Sequence, residues 1–388
     1  MHIYIVAASD AEQDAERRKR WGDYWFKDSL GYALEGLGHT VTDDLAQAQV
    51  LINCHGASLA RLPEWTFNVL WVIGHPDAVT PAECHEYDAV FVESAQFTEH
   101  LREQGVTCEH LPGASDFVPM DLPKTHDTIF VGNVRGAGHP GRHSRECIDA
   151  LNGNYDGLEV WGEGWDWLPE GVWQGEYYPH EQLNELYCSS QTILNDTHTD
   201  MQRWGMQNPR EYDLRAITGE SVPTFVDCAE RIVEVARPLE GLDIGCGARK
   251  RPRLTGVDLT PSPGVLTYNL KKGLPPKFRE GLDVIVADNI LEHINNLIGL
   301  MNSCRKALLP DGRMHIRVPS ATTSAAFQDP THVRYFVPET FDYFNVAHLR
   351  WREYGRTYGI KPWRVVYNRM ADNRFIDVLM RPAEEPSA

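Results

Sequence analysis

The chain has 388 residues, a length for two to three domains. Hydrophobic residues make up 42% and charged residues 24%, which excludes a disordered chain. No apolar run approaches the ~20 residues of a membrane span, MHIYIVAASD turns polar too early for a secretory leader, and eight scattered cysteines without a C-x-x-C pair argue against a disulfide framework or a structural zinc site. A cytoplasmic protein without a structural zinc site is therefore expected.

The net charge of −18 is unevenly spread. Residues 1–239 hold 16 Lys and Arg against 39 Asp and Glu, whereas residues 240–388 hold 21 against 16. The acidic part would repel a phosphate backbone, so nucleic acid is a poor partner for it; the mildly basic part leaves that question open.

In chain order, HIYIVAAS (2–9) reads as a strand, and Trp21 to Leu37 carries apolar residues at helical spacing up to Gly38. QVLINCHG, FNVLWVIGHP and YDAVFVES are further apolar strands, and their alternation with helices predicts a mostly parallel sheet. Residues 114–127, with two prolines, read as a linker. A second β/α unit begins at TIFVGNVRG (128–136) and runs through LEVWGEGW, QTILND and a helix near 209–217. After AERIVEVAR a third unit opens at GLDIGCG, with strands near 241–244, 254–258, 282–286 and 313–318 and a closing hairpin that turns at 371–373. The expected division is 1–120, 121–238 and 239–388, all of α/β class.

In the third unit, LDIGCGA places a strand before a glycine turn, with Asp243, Gly245 and Gly247 in a D-x-G-x-G pattern. Glycine permits a tight turn and close backbone approach to a ligand. Asp258, at the end of TGVDL, offers a carboxylate that can accept two ribose hydroxyls. These residues, with LEHI, LLPDGR and DPTHVRYF, resemble the class I S-adenosylmethionine-dependent methyltransferases, in particular a subgroup found with glycan-biosynthesis genes. The resemblance covers roughly 240–346, including the short connection 248–253. It implies cofactor contacts at Asp243, Gly245 and Gly247, Asp258 on the ribose, Asn269 near the adenine, and Asn289 in ADNILEH. His293 and His332 are candidate bases for a methyl acceptor; the alternative for His293 is that it caps or packs the helix after the fourth strand.

Residues 1–227 carry WGDYWF, WVIGHPD, IFVGNVRG, WGEGW and an LND…DM…REYD run. Together these resemble GT-B glycosyltransferases of the glycosyl transferases group 1 type, including CgeB-like relatives. That implies two Rossmann-like domains, the second truncated, ahead of the methyltransferase domain. It also implies a nucleotide-sugar co-substrate of UDP or GDP type and a glycan or glycosylated acceptor. The donor would be held by Asn133, Arg135, Arg142, Gly162, Glu163, Trp165, Asn195, Arg210 and Asp213, because a diphosphate is recognised by arginines and backbone N–H groups. His75 and Asp23 would face the acceptor. The alternatives are surface ion pairs for the arginines, a helix-face charge for Asp213 and a structural His75. The leading expectation is a glycosyltransferase fused to a methyltransferase; the alternatives are a methyltransferase with 1–238 as a recognition module, and a binding protein with decayed sites. Because 238–240 is too short for a tether and the second unit is short of elements, the third unit is expected to pack on 128–238.

Overall fold

The computed structural model describes residues 1–54, 61–134 and 145–385. The chain is of α/β class and builds three sheets. The first contains β1 (His2–Val6), β2 (Thr40–Val41), β3 (Val50–Cys54), β4 (Phe67–Val72), β5 (Ala89–Val92) and β6 (Glu109–His110). All are parallel, in the order β2-β1-β3-β4-β5-β6. Every residue of β3 and β4 is buried, because a parallel sheet is covered on both faces. The Gly22–Gly36 helix covers one face with Phe26, Leu30, Ala33 and Leu34, and the chain reverses at Gly38, whose φ of 83° suits a residue without Cβ.

The second sheet is smaller: β7 (His126–Val131), β8 (Leu158–Trp161), β9 (Trp173–Gly175) and β10 (Ser190–Ile193), parallel, in the order β10-β7-β8-β9. One face packs Phe130 and Val160 against Ile148 and Trp165. The other packs Ile129 against Leu186 and Tyr187. The Phe225–Val235 helix, grouped by sequence with this unit, lies instead in the core of the first. Its Phe225, Cys228, Ala229 and Ile232 join Ile3, Ile5 and Trp71, and Phe225 meets Phe26 edge-on at 5.0 Å. Thr224 caps this helix reciprocally with Asp227, which fixes where it begins.

The third sheet contains β11 (Gly241–Ile244), β12 (Thr255–Asp258), β13 (Val265–Thr267), β14 (Leu282–Asp288), β15 (Leu308–Pro319), β16 (Trp363–Ala371) and β17 (Phe375–Pro382). Their order is β13-β12-β11-β14-β15-β17-β16; the first five are parallel, and β17 runs antiparallel between β15 and β16.

This sheet docks on the first unit, not on 128–238 as expected. Arg313 on β15, 2% exposed, reaches Asp88 and donates to Thr66 O at 2.8 Å. Arg381 on β17 reaches Asp88 at 3.4 Å and Tyr87 O at 3.3 Å. Trp65 packs on Leu254, Val284 and Val286. The physical reason is twofold. Arginines on the buried face of a sheet require carboxylate partners, and the first unit supplies Asp88. The four-stranded second sheet, meanwhile, covers both its faces with its own elements. No helix among the described residues is long and apolar enough to cross a membrane.

Candidate functional site

In the third sheet, β11 lies between β12 and β14, so the chain leaves it in opposite directions at successive crossovers. Ligands of open α/β sheets bind outside the carboxyl ends of strands at such a switch point. Gly245 follows β11 with φ 72°, donates its N–H to Val257 O at 2.7 Å, and sits so close to Ile290 that a Cβ would meet it at 2.4 Å. Gly247, φ 56°, has open space where a Cβ would stand. Its N–H donates to Asp258 Oδ2 at 2.9 Å, and Asp258 Oδ1 accepts from Thr260 N at 2.7 Å. A carboxylate has about four acceptor positions, so two remain.

Asp243 is fully buried and accepts from Arg251 N at 2.7 Å and Arg251 Nη1 at 3.3 Å. Burial raises its carboxyl above the usual range, against the pull of Arg251. Arg251 also binds Asp288 at 2.8 Å and Glu64 at 3.3 Å. In the absence of a helix, this arginine anchors the short 248–253 connection; Asp243 therefore braces the turn rather than facing outward. Asn269, after β13, accepts from Lys271 N at 3.0 Å. Asn289, φ 52°, is exposed at the end of β14 and donates to Asp288 Oδ1 at 2.8 Å. The six residues predicted for a cofactor thus come together at the strand ends, five of them with part of the residue accessible.

Past Ile290 the chain enters the Leu291–His293 turn. His293 and His332, the candidate bases, meet with ring centroids 4.8 Å apart. Beside them lies Glu292, which the sequence reading did not count as a site residue, its Oε1 3.9 Å from His332 Nε2. It is 1% exposed because Val333 and Arg334 donate their N–H groups to its carbonyl and close the 329–334 loop over it. Burial pushes its carboxyl up to about 7. The signal was present in LEHI, but a glutamate in a turn is ordinarily solvated.

The residues predicted for a nucleotide sugar lie differently. Trp165 is fully buried and donates to Gly132 O at 2.7 Å, so it presents no ring face to a base and is a core residue. Asn133 accepts from Glu163 N at 2.9 Å, and Gly162 lies directly under the Gly132 carbonyl. Glu163 pairs with Arg20 at 2.5 Å across the seam to the first unit. Arg210 donates to Val131 O and lies over the Phe130 ring at 5.4 Å. Asn195 donates to Glu211 at 3.1 Å. Asp213 accepts from Ser115 at 2.6 Å, and burial pushes its carboxyl up to about 7. Arg135 and Arg142 lie outside the described residues. Asp23 accepts from Ser9 N at 2.7 Å, which ties the first strand's loop to the Gly22–Gly36 helix. His75, φ 49°, is exposed at the seam, 3.8 Å from Asp200 and with its ring 4.9 Å from His198.

No family description matches the sequence, and no curated protein matches it. Among solved structures, the chain is similar to the Burkholderia thailandensis 1,6-didemethyltoxoflavin-N1-methyltransferase, determined with 1,6-didemethyltoxoflavin and S-adenosylhomocysteine. The two are 16% identical over 39% of this chain and 74% of that one, with a TM-score of 0.29. It is also similar to a SAM dependent methyltransferase from Archaeoglobus fulgidus, 15% identical over 37% and 86% of the respective chains, with a TM-score of 0.26. Similarity this remote says nothing about function.

Proposed function

We propose that the third unit is an S-adenosylmethionine-dependent methyltransferase and that residues 1–238 serve it as an acceptor-recognition module. The observation that carries this reading is the open Gly247 turn tied to Asp258 at the switch point. A dinucleotide site would add a helix N-terminus after the glycines to hold the pyrophosphate. Here the chain passes from Gly247 to β12 without any helix, so the turn suits a nucleoside cofactor that brings no phosphate.

When bound, S-adenosylmethionine supplies an electrophilic methyl group on a sulfonium. Gly247 lets the backbone approach it, Gly245 holds the turn against Ile290, Asp258 accepts from the ribose hydroxyls, and Asn269 stands toward the adenine. Asp243 and Arg251 keep the turn in shape. Glu292, His293 and His332 hold and activate the acceptor hydroxyl, and alignment of that oxygen is the main demand of the reaction. The resemblance of residues 1–227 points to a glycan hydroxyl as acceptor. Glu163, Trp165, Arg210 and Asp213 are engaged within the chain, which favours recognition over glycosyl transfer for this part.

The test is calorimetry with S-adenosylhomocysteine. The wild-type chain binds one equivalent, and Asp258→Ala weakens binding by about 1.5–3 kcal/mol through the lost charged hydrogen bonds. Unchanged affinity in the variant removes the assignment.

A further inference from the structure

Glu292, His293 and His332 each offer a ligand atom, and these atoms lie within 4.8 Å of one another. Their surroundings orient both histidines. His332 Nδ1 is 2.7 Å from Ala326 O, and a carbonyl only accepts, so Nδ1 carries the hydrogen and Nε2 the lone pair. That Nε2 stands 3.9 Å from Glu292 Oε1. Thr331 Oγ1 donates to Asp329 Oδ1 at 2.7 Å, so it accepts from His293 Nδ1 at 3.0 Å and leaves the lone pair of that ring on Nε2 as well. Both carboxylate oxygens of Glu292 are buried without any hydrogen-bond donor. A buried carboxylate without a partner is costly.

We propose that Glu292, His293 and His332 bind a divalent cation of the zinc class, with an open coordination position for the acceptor oxygen. This rests on the methyltransferase reading and deepens it: the two histidines serve as ligands where the sequence suggested bases, and no metal was expected from sequence. Two imidazoles and one carboxylate with a fourth position open form the donor set of catalytic zinc. Metal-binding histidines ordinarily give their other N–H to a carbonyl or another fixed acceptor, as both do here. With bonds of ~2.0–2.2 Å, ligand atoms around one ion stand roughly 3.3 Å apart, within a small side-chain rotation of the spacing present. His293 is only partly buried, which gives the ion a way in.

The experiment is titration of Zn²⁺ into the chelator-treated full-length chain by calorimetry, with S-adenosylhomocysteine titrated into the same samples. The expected result is a tight ion site that weakens at least 100-fold in Glu292→Gln and His332→Ala. Thr331→Val, an exposed change that leaves folding intact, weakens it about 10-fold by releasing the His293 ring. His75→Ala, in the second histidine grouping near His198 and Asp200, leaves this site unchanged. Circular dichroism checks that each variant is folded. Absence of tight Zn²⁺, Co²⁺ or Mn²⁺ binding in the wild type overturns the proposal, as does undiminished binding in Glu292→Gln and Thr331→Val. If S-adenosylhomocysteine still binds in that case, the methyltransferase reading stands; loss of S-adenosylhomocysteine binding with the ion retained sinks that reading instead.

Discussion

Two glycine turns follow parallel strands in this chain, Gly162–Gly164 after β8 and Gly245–Gly247 after β11. Both use positive φ, and both look like ligand turns in the sequence. Above the first, the chain has filled the space with its own atoms. A Cβ on Gly162 would stand 2.2 Å from Gly132 O, and one on Gly164 would stand 2.4 Å from Val134. Arg20 takes the Glu163 carboxylate and Trp165 is sealed in the core. Above the second turn Gly247 is open, and Asp258 retains acceptor capacity. Positive φ therefore marks a tight turn; what occupies the volume beside it decides whether a ligand can use it.

The largest expected effect concerns the joint between the third unit and the first. Asp88→Ala strands the buried Arg313 guanidinium, and removing one partner of a buried pair costs about 3–5 kcal/mol. Urea unfolding checks this. A loss below about 1 kcal/mol would mean that the two regions are not coupled through this contact.

The two turns can be compared directly by one substitution in each. Gly162→Ala forces a methyl group into backbone and is expected to cost about 2–4 kcal/mol of stability, from overpacking and an unfavourable φ. Affinity of the folded fraction for S-adenosylhomocysteine is expected to be unchanged. Gly247→Ala costs only about 1 kcal/mol, from its φ alone, but places a methyl group where the cofactor approaches and weakens binding at least tenfold. Melting curves and calorimetry on both variants check the pair, and a reversed pattern breaks the comparison.

A further expected effect is a pH slope at the seam of the first two sheets. Glu93, 4% exposed, accepts from Gln207 N at 3.0 Å and from the Tyr212 hydroxyl, yet burial pushes its carboxyl up to about 7. The folded chain therefore holds a proton that the unfolded chain has lost between about pH 4.5 and 7. Stability falls as pH rises through that window, and Glu93→Gln flattens the slope. Unfolding midpoints across pH 4.5–8 check it; parallel curves for the two proteins would remove Glu93 as a cause.

Much of the architecture was readable because buried parallel strands appear as unbroken apolar runs, as in VLINC and FNVLWV, and because Gly38 marks a helix end; the Thr224–Asp227 cap, which starts its helix at Phe225, was not read. The grouping of residues at the switch point was readable from D-x-G-x-G and its spacing to Asp258. Tertiary partners were not. Arg313 and Arg381 read as polar positions in strands, and nothing local says that Asp88 lies opposite them. Glu292 is enclosed by a loop some 40 residues later in the chain. Arg210, Glu163 and Asp213 have the chemistry of a donor site, but Val131, Arg20 and Ser115 engage them first.

Hydrogen exchange with and without S-adenosylhomocysteine tests the difference between the two turns most directly, since amide protection reports local opening where a ligand binds. The account predicts added protection at 244–248, 258–262, 268–272 and 288–293, and none at 129–134 or 161–165. Protection at the Gly162–Gly164 turn, or none at Gly245–Gly247, would contradict it.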